Sequence, residues 1–205
     1  MQSSTDKQLY DYWDRVRNGR IAPNRAEIEP AAIAPLLAET FIVEYAGPGQ
    51  FRFRLAGTRI CDQFGRELRG TEFLALWDGA DRHAMTSLLA NLFGEGAVGH
   101  VRFQGLSLEG RHCNFSMLLL PLTATSHSVN RCLGSITALE PHYWLGADPI
   151  VHLDLTDVAL DWPMSKPAAA APAMPAPGND PGFAGSLNGR PRFKVYDGGL
   201  SQPKG

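Results

Sequence analysis

The sequence has few cysteines, almost no net charge and no long apolar run. Its 205 residues include only Cys61, Cys113 and Cys132, an odd number without CxxC spacing, so we expect neither a disulfide framework nor a thiolate zinc site. The 19 basic and 21 acidic residues give a formal net charge of −2, which provides no overall field to attract nucleic acid or an anionic membrane. The longest apolar run, Met117–Leu122, is far shorter than the roughly 20 residues that cross a bilayer.

The beginning of the chain also lacks the pattern of a targeting segment. The first twenty residues contain several charged side chains and no apolar stretch, which is unlike a secretory signal peptide. We therefore expect a cytoplasmic protein that neither binds nucleic acid nor inserts into a membrane.

Composition changes sharply near Pro163. From Pro163 to Gly205 the chain has eight of its 15 prolines together with seven glycines and seven alanines. Because the prolines interrupt every alanine tract, this pattern predicts an extended linker over 163–188. A basic, strand-like tail peptide is predicted over 189–205, since basic and apolar residues alternate there. Such a peptide could add to the edge of a partner's sheet, the alternative being a disordered end with incidental apolar residues. Its candidate contacts are Arg192, Phe193, Val195 and Tyr196.

The rest of the chain alternates between helical and strand patterns. Apolar residues at helical spacing predict an amphipathic helix near Asp6–Asn18, and a second helix is predicted to end at Leu37. Two strand-like runs around Gly47–Gly49 predict a hairpin, with Phe51, Phe53 and Leu55 on its buried side. A helical region follows to Gly96, and then three more strand-like runs.

This order of elements predicts an α+β fold. Short links within each strand group favour a five-stranded antiparallel sheet. The helical block is expected to lie on one face of that sheet, because only this arrangement buries both the strand stripe and the helix stripe. The middle run of the last three, His112–Thr123, is apolar on both sides toward its end, so we expect the N-terminal helix to cover the other face.

The same order, with specific motifs, resembles the PAS domain. The residues that carry the resemblance are Leu55-Ala-Gly-Thr58, Phe64-Gly-Arg-Glu-Leu-Arg-Gly70, Trp13 and the segment Arg20–Pro30. Together they are similar to a branch of compact alphaproteobacterial PAS-like proteins formerly known only as a domain of unknown function. The resemblance spans about residues 8–145. It implies a PAS-like core over 39–146, with an N-terminal helical cap at 1–38 and a C-terminal extension at 147–162.

Some branches of the PAS family bind a cofactor, so the resemblance implies that the residues of this chain should be compared with theirs. Flavin-binding members carry an Asn-Cys pair in a short helix, whereas Cys61 here lacks the asparagine and lies in a different helix. Haem-binding members place a histidine on the longer helix, where His83 is expected to be exposed. His100 and His112 fall on neighbouring predicted strands without a carboxylate in register, which makes a poor metal site. We therefore expect no cofactor and no metal.

The sequence contains no pattern typical of an enzyme. There is no Gly-x-Ser-x-Gly nucleophile motif and no phosphate-binding loop after a predicted strand. Asp154 and Asp157 are three residues apart in the C-terminal extension, where we expect them to face solvent. A non-catalytic protein is the prediction.

Two functions then remain. In the first, the protein is a PAS-type signal-transduction module that acts by protein–protein interaction, with Tyr12, Trp13 and the tail peptide as candidate contacts. The resemblance implies a signalling partner, for example a histidine kinase, and a homodimer as a further candidate state. In the second, it is a small-molecule sensor with a cavity between helices and sheet, although the same residues are expected to fill an ordinary core. The candidate pocket residues are Phe53, Phe64, Leu74, Trp77, Leu88, Phe103, Phe115, Met117 and Ile136.

Overall fold

A computed structural model describes residues 3–124 and 128–163. The strands are β1 (Thr40–Gly47), β2 (Gln50–Ala56), β3 (Val98–Ser107), β4 (His112–Thr123), β5 (Val129–Ala138) and β6 (Ile150–Asp161). They form one sheet in the order β2-β1-β5-β4-β3-β6, with every neighbouring pair antiparallel. The α-helices are α1 (Ser4–Arg17), α2 (Thr58–Gln63) and α3 (Gly79–Glu95). The expected α+β class is therefore confirmed.

One face of the sheet, here called the inner face, carries the helical block. The block consists of α2, the 3₁₀ helix Phe73–Leu76 and α3. Its apolar side chains and those of the inner face form one large cluster, which includes Phe41, Phe103 and Leu88. Burial of this aromatic-rich surface is the main force that holds the block to the sheet.

The opposite face, the outer face, is partly covered by an N-terminal cap. The cap consists of α1 and the 3₁₀ helices Arg25–Glu27 and Pro30–Glu39. The Ser3 hydroxyl accepts a hydrogen bond from the Asp6 amide at 3.0 Å and so begins α1, while Asn18, in the left-handed conformation, ends it. A second apolar cluster joins the cap to the outer face, as the sequence predicted. Its members include Leu9, Trp13, Leu118, Leu120 and Leu133.

Gly57 is the point where the cap, the sheet and α2 come closest. Its amide donates to the Thr40 carbonyl at 2.8 Å. A Cβ at this position would overlap the backbone carbonyl oxygens of Leu37 and Ala38. Gly57 is therefore required by a close approach of two backbones, since its φ of −67° is open to any residue.

The sheet has one strand more than the five expected. The segment 147–162, expected as an extension, contributes β6, which folds back and pairs with β3 of the same chain.

Leu55 also differs from its expected burial, with 43% of its surface exposed. A bulge between Ile42 and Val43 shifts the register of β1 against β2, so the alternation that buries Phe51 and Phe53 does not extend to Leu55.

The chain between β5 and β6, residues 139–149, closes one end of the inner cluster, and we call it the closing segment. Trp144 is buried in the inner cluster. The Asp148 carboxylate accepts from the Glu109 amide at 3.2 Å and from the Arg111 guanidinium at 3.4 Å. These bonds fasten the closing segment to the β3–β4 turn.

Candidate functional site

The nine candidate pocket residues come together in one place. All nine are buried members of the inner cluster, contributed by β2–β5 and the helical block. The Phe103 ring stacks on Phe115 with centroids 5.1 Å apart and meets Trp77 edge-on at 5.3 Å. Phe53 likewise packs against Phe41 and Phe73 at 5.7 and 5.3 Å. The rings of this interior thus lie against one another at the spacing of ordinary core aromatics.

One polar atom in this interior has no partner among the described residues. The indole Nε1 of Trp77 is fully buried and donates no hydrogen bond. A buried donor left unbonded costs on the order of 1–3 kcal/mol. The interior therefore contains one position where a hydrogen-bond acceptor would be favourable.

The candidate interaction residues of the cap face the sheet. Trp13 is 0% exposed, and its Nε1 donates to the Pro121 carbonyl at 2.8 Å. The Tyr12 hydroxyl accepts from the Glu29 amide at 2.8 Å. In the described chain both rings therefore fasten the cap, and their role in a partner contact stays a prediction. The other candidates, Arg192, Phe193, Val195 and Tyr196, lie outside the described residues, as does the predicted tail peptide.

Part of the outer face carries no cap, and we call this part the open face. It is formed by Arg102 and Gln104 of β3, Asn114 of β4, and Asp154 and Asp157 of β6. In register, Arg102 lies opposite Asp157, and Gln104 lies between Asn114 and Asp154. These positions alternate with inner-face residues, so their side chains share the outer side of the sheet. The result is a polar surface with two carboxylates and one guanidinium, on which the Asp154 carboxylate lies 3.0 Å from Nε2 of His152.

A cleft lies between α2 and the closing segment, and we call it the α2 cleft. Its volume is about 510 Å³, within the range of small-molecule sites. Its lining residues are Glu39, Arg59, Asp62, Gln63, Ala138, Glu140, Pro141, His142, Leu145 and Gly146. Gln63 is only 4% exposed, and its Oε1 has no hydrogen-bond partner among the described residues.

Sequence reasoning missed this cleft, although one signal was available. Gln63 falls on the same helical stripe as Ile60 and Phe64, so a polar side chain stands at a position where the pattern calls for an apolar one. The other wall comes from residues more than 70 positions later in the chain, which no local pattern connects to α2.

Four potentially reactive side chains of the described residues are those of Cys61, Cys113, His100 and His112. Burial raises the pKa of the Cys61 thiol, and it raises that of Cys113 to about 11, so both stay protonated at neutral pH. His100 and His112 are six positions apart in register, about 20 Å along the strands. Among the described residues, no group of three or more His, Cys, Asp or Glu side chains could hold a metal ion. In the same residues, no helix has the length and apolar character needed to span a membrane.

The fold and its surfaces define a small α+β module in which a helical block covers one face of an antiparallel sheet and a helical cap covers part of the other. A protein-family model described as a PAS domain matches residues 1–137, more than half of the chain. The chain therefore belongs to the PAS domain family, and the resemblance drawn from the sequence is confirmed. Its assignment to an alphaproteobacterial branch stays a prediction. No curated protein matches the chain significantly.

Solved structures of light-oxygen-voltage (LOV) domains also match. One, from a study of a flavin analogue in the LOV mechanism, is 15% identical with a TM-score of 0.43, and the match covers 55% of this chain and 85% of that chain. The LOV protein of Rhodobacter sphaeroides is 16% identical with a TM-score of 0.42, covering 52% of this chain and 61% of that one. The light state of the blue-light photoreceptor Aureochrome1 LOV is 14% identical with a TM-score of 0.42, covering 55% and 89%. These values assign no ligand to this chain.

Proposed function

We propose that this protein is a non-catalytic PAS signal-transduction module that acts by contact with a protein partner. The observation that carries the proposal is the packing of the interior. The nine residues that would line a ligand cavity are buried against one another, with Phe103 held between Trp77 and Phe115. An interior occupied by the chain's own side chains leaves the surface as the place where a signal is received or passed on. Membership of the PAS family, whose domains typically serve sensing and signalling, supports the same conclusion.

The open face is the surface that we assign to the partner. Asp154 and Asp157 are exposed, and the only basic side chain among its five residues is Arg102. A second copy of the same face would bring like charges together, which is unfavourable. The matching partner is therefore a protein with a basic surface. A signalling protein such as a histidine kinase, predicted from the family resemblance, remains the partner class that we propose.

The test uses the full chain in the cells that produce it. Crosslinked complexes of the wild type are compared with the double variant Asp154→Lys, Asp157→Lys and with a deletion of 189–205. We expect the double variant to lose a specific, stoichiometric partner, because two charges of the open face are reversed. The matched control Lys7→Glu changes an exposed charge on α1 and should retain the partner. Retention of the same partner by the double variant would contradict the assignment to the open face. If the variant without residues 189–205 keeps the partner, the tail peptide is not part of the contact.

A second candidate function is a small-molecule sensor with its ligand in the interior. It is favoured by the unpartnered Nε1 of Trp77, which a ligand carrying an acceptor would satisfy. This function predicts that the purified chain retains a small molecule at one per chain. Absorbance spectra and denaturing mass spectrometry that detect no such molecule would count against it.

A further inference from the structure

The α2 cleft contains an unsatisfied buried group that the fold itself does not explain. Gln63 is the last residue of α2, 4% exposed, and its Oε1 accepts no hydrogen bond from the described residues. Its neighbours Ile60 and Phe64 are packed in the inner cluster. An apolar side chain at position 63 would avoid the cost of burying an unbonded amide oxygen, on the order of 1–3 kcal/mol. The amide is therefore better understood as an acceptor for something that enters the cleft.

The charges around the cleft indicate what would enter. The Glu39 carboxylate is already occupied, since it pairs with Arg59 and accepts from the Thr5 hydroxyl at 2.7 Å. Asp62 has no ion-pair partner among the described residues. Glu140 lies 3.8 Å from a ring nitrogen of His142, a pair that is ionic only when the histidine is protonated. Two carboxylates are thus available to a ligand.

Asp62 and the closing segment face each other across the cleft. A Cβ at Gly146 would lie 3.6 Å from the Cβ of Asp62, so little separates the two walls at that point. The remaining lining includes the apolar side chains of Ala138, Pro141 and Leu145. The site therefore combines carboxylates, a buried amide acceptor and a short apolar wall.

We propose that the α2 cleft binds a small organic amine. Its ammonium group pairs with the carboxylates of Asp62 and Glu140, an N–H donates to Oε1 of Gln63, and its carbon chain lies against Leu145 and Ala138. The two carboxylates and Oε1 of Gln63 are acceptors, which matches an ammonium ion, and the guanidinium of Arg59 in the lining is already paired with Glu39. The site differs from both the open face and the interior, so its failure would leave the proposed function intact.

The test titrates the full chain with 1,5-diaminopentane by isothermal calorimetry. Two matched probes share its five-carbon chain: 1,5-pentanediol, which lacks the charge, and pentanedioate, which reverses it. We expect binding of the diamine that weakens with added salt, and no binding of either matched probe. Absence of diamine binding, or equal binding of the diol, would overturn the proposal.

Two variants separate a ligand contact from a structural role. Gln63→Leu should weaken diamine binding at least tenfold while raising the melting temperature of the ligand-free chain, because the unbonded amide is removed. Asp62→Asn, at an exposed position, should weaken binding without changing the melting temperature. Asp11→Asn on the exposed side of α1 is the matched control and should bind as the wild type does. Unchanged affinity in both Gln63→Leu and Asp62→Asn would refute the site, even if Gln63→Leu proved unstable.

Discussion

The two faces of the sheet are covered in different ways. The inner face meets the helical block through interlocking aromatic rings, among them Phe41, Phe53 and Phe103. The outer face presents aliphatic side chains to the cap, which packs against them with Leu9, Tyr12 and Trp13 and adds a few specific hydrogen bonds, and the rest of this face is open. The difference suggests that the inner face holds the fold together, whereas the outer face is a layer whose contacts can be changed one by one. Because part of the outer face is open, we place the partner surface on that side of the sheet.

The largest expected effect comes from breaking the inner face. Phe103→Ala removes the ring that lies between Trp77 and Phe115, leaving a cavity where neighbours cannot fully collapse. We expect a loss of about 3–5 kcal/mol in the free energy of unfolding, measured by urea denaturation. Phe103→Leu, which keeps most of the volume, should cost clearly less. Equal losses in the two variants would mean that ring packing is not what stabilises this face.

A smaller effect is expected from the main fastening of the cap. Trp13→Phe retains a buried ring but removes the indole donor to the Pro121 carbonyl. The carbonyl is then left without that bond, at a cost of about 2 kcal/mol. Hydrogen exchange should rise in α1 while the amides of β3 and β4 keep their protection. Uniform loss of protection over both faces would contradict the separation between cap and core.

A third variant tests a polar contact of the same layer. The Ser135 hydroxyl donates to the buried Asp6 carboxylate at 2.7 Å. Ser135→Ala removes this donor and should cost about 1.5 kcal/mol, since hydrogen bonds to charged groups exceed neutral ones. Ser87→Ala, which removes an exposed hydroxyl on α3, is the control and should change the unfolding free energy little. If Ser135→Ala and Ser87→Ala changed the free energy of unfolding by the same amount, the Asp6–Ser135 contact would not fasten the cap.

The smallest effect is a pH dependence of the outer face. Burial lowers the pKa of His100 below its ordinary value of 6.5, and the carboxylates of Asp161 and Asp6 partly oppose this shift. On acidification the unfolded chain binds a proton at His100 at a higher pH than the folded chain does. The free energy of unfolding should therefore fall as the pH drops below 6.5. Melting temperatures recorded between pH 7.5 and 5.5 measure this pH dependence of stability. His100→Gln should flatten the curve in that window, and a curve unchanged by this variant would assign the dependence to other groups.

The sequence predicted the elements that repeat a clear pattern. The amphipathic helix lies within a few residues of its expected bounds, and the first hairpin and the three strands after α3 occur in the expected order, because apolar spacing directly reflects burial. It missed β6, whose alternation is broken by exposed residues such as Thr156 and Asp157, with a bulge in its pairing to β3. It also could not place Tyr12 and Trp13, since the same apolar stripe suits the chain's own sheet or a partner.

The exposed state of Leu55 and the α2 cleft depend on tertiary arrangement. Leu55 continues the pattern of Phe51 and Phe53, and only the bulge in β1 and β2 pairing changes its side. The cleft depends on the closing segment lying next to α2, which long-range packing through Trp144 and Asp148 determines. Neither feature has a local signal strong enough to predict it.

The central claim is that the interior is filled by the chain's own side chains, so that signals pass by surface contact. The most direct measurement is the absorbance and native mass spectrum of the full-length Gln63→Leu variant, purified from the cells that make the protein. This variant removes the buried acceptor of the α2 cleft, so a small molecule retained at one per chain would point to a site other than that cleft. We predict the mass of the polypeptide alone, or a multiple of it, with no absorption beyond that of its aromatic residues. A chromophore or a small molecule retained at one per chain would contradict the account.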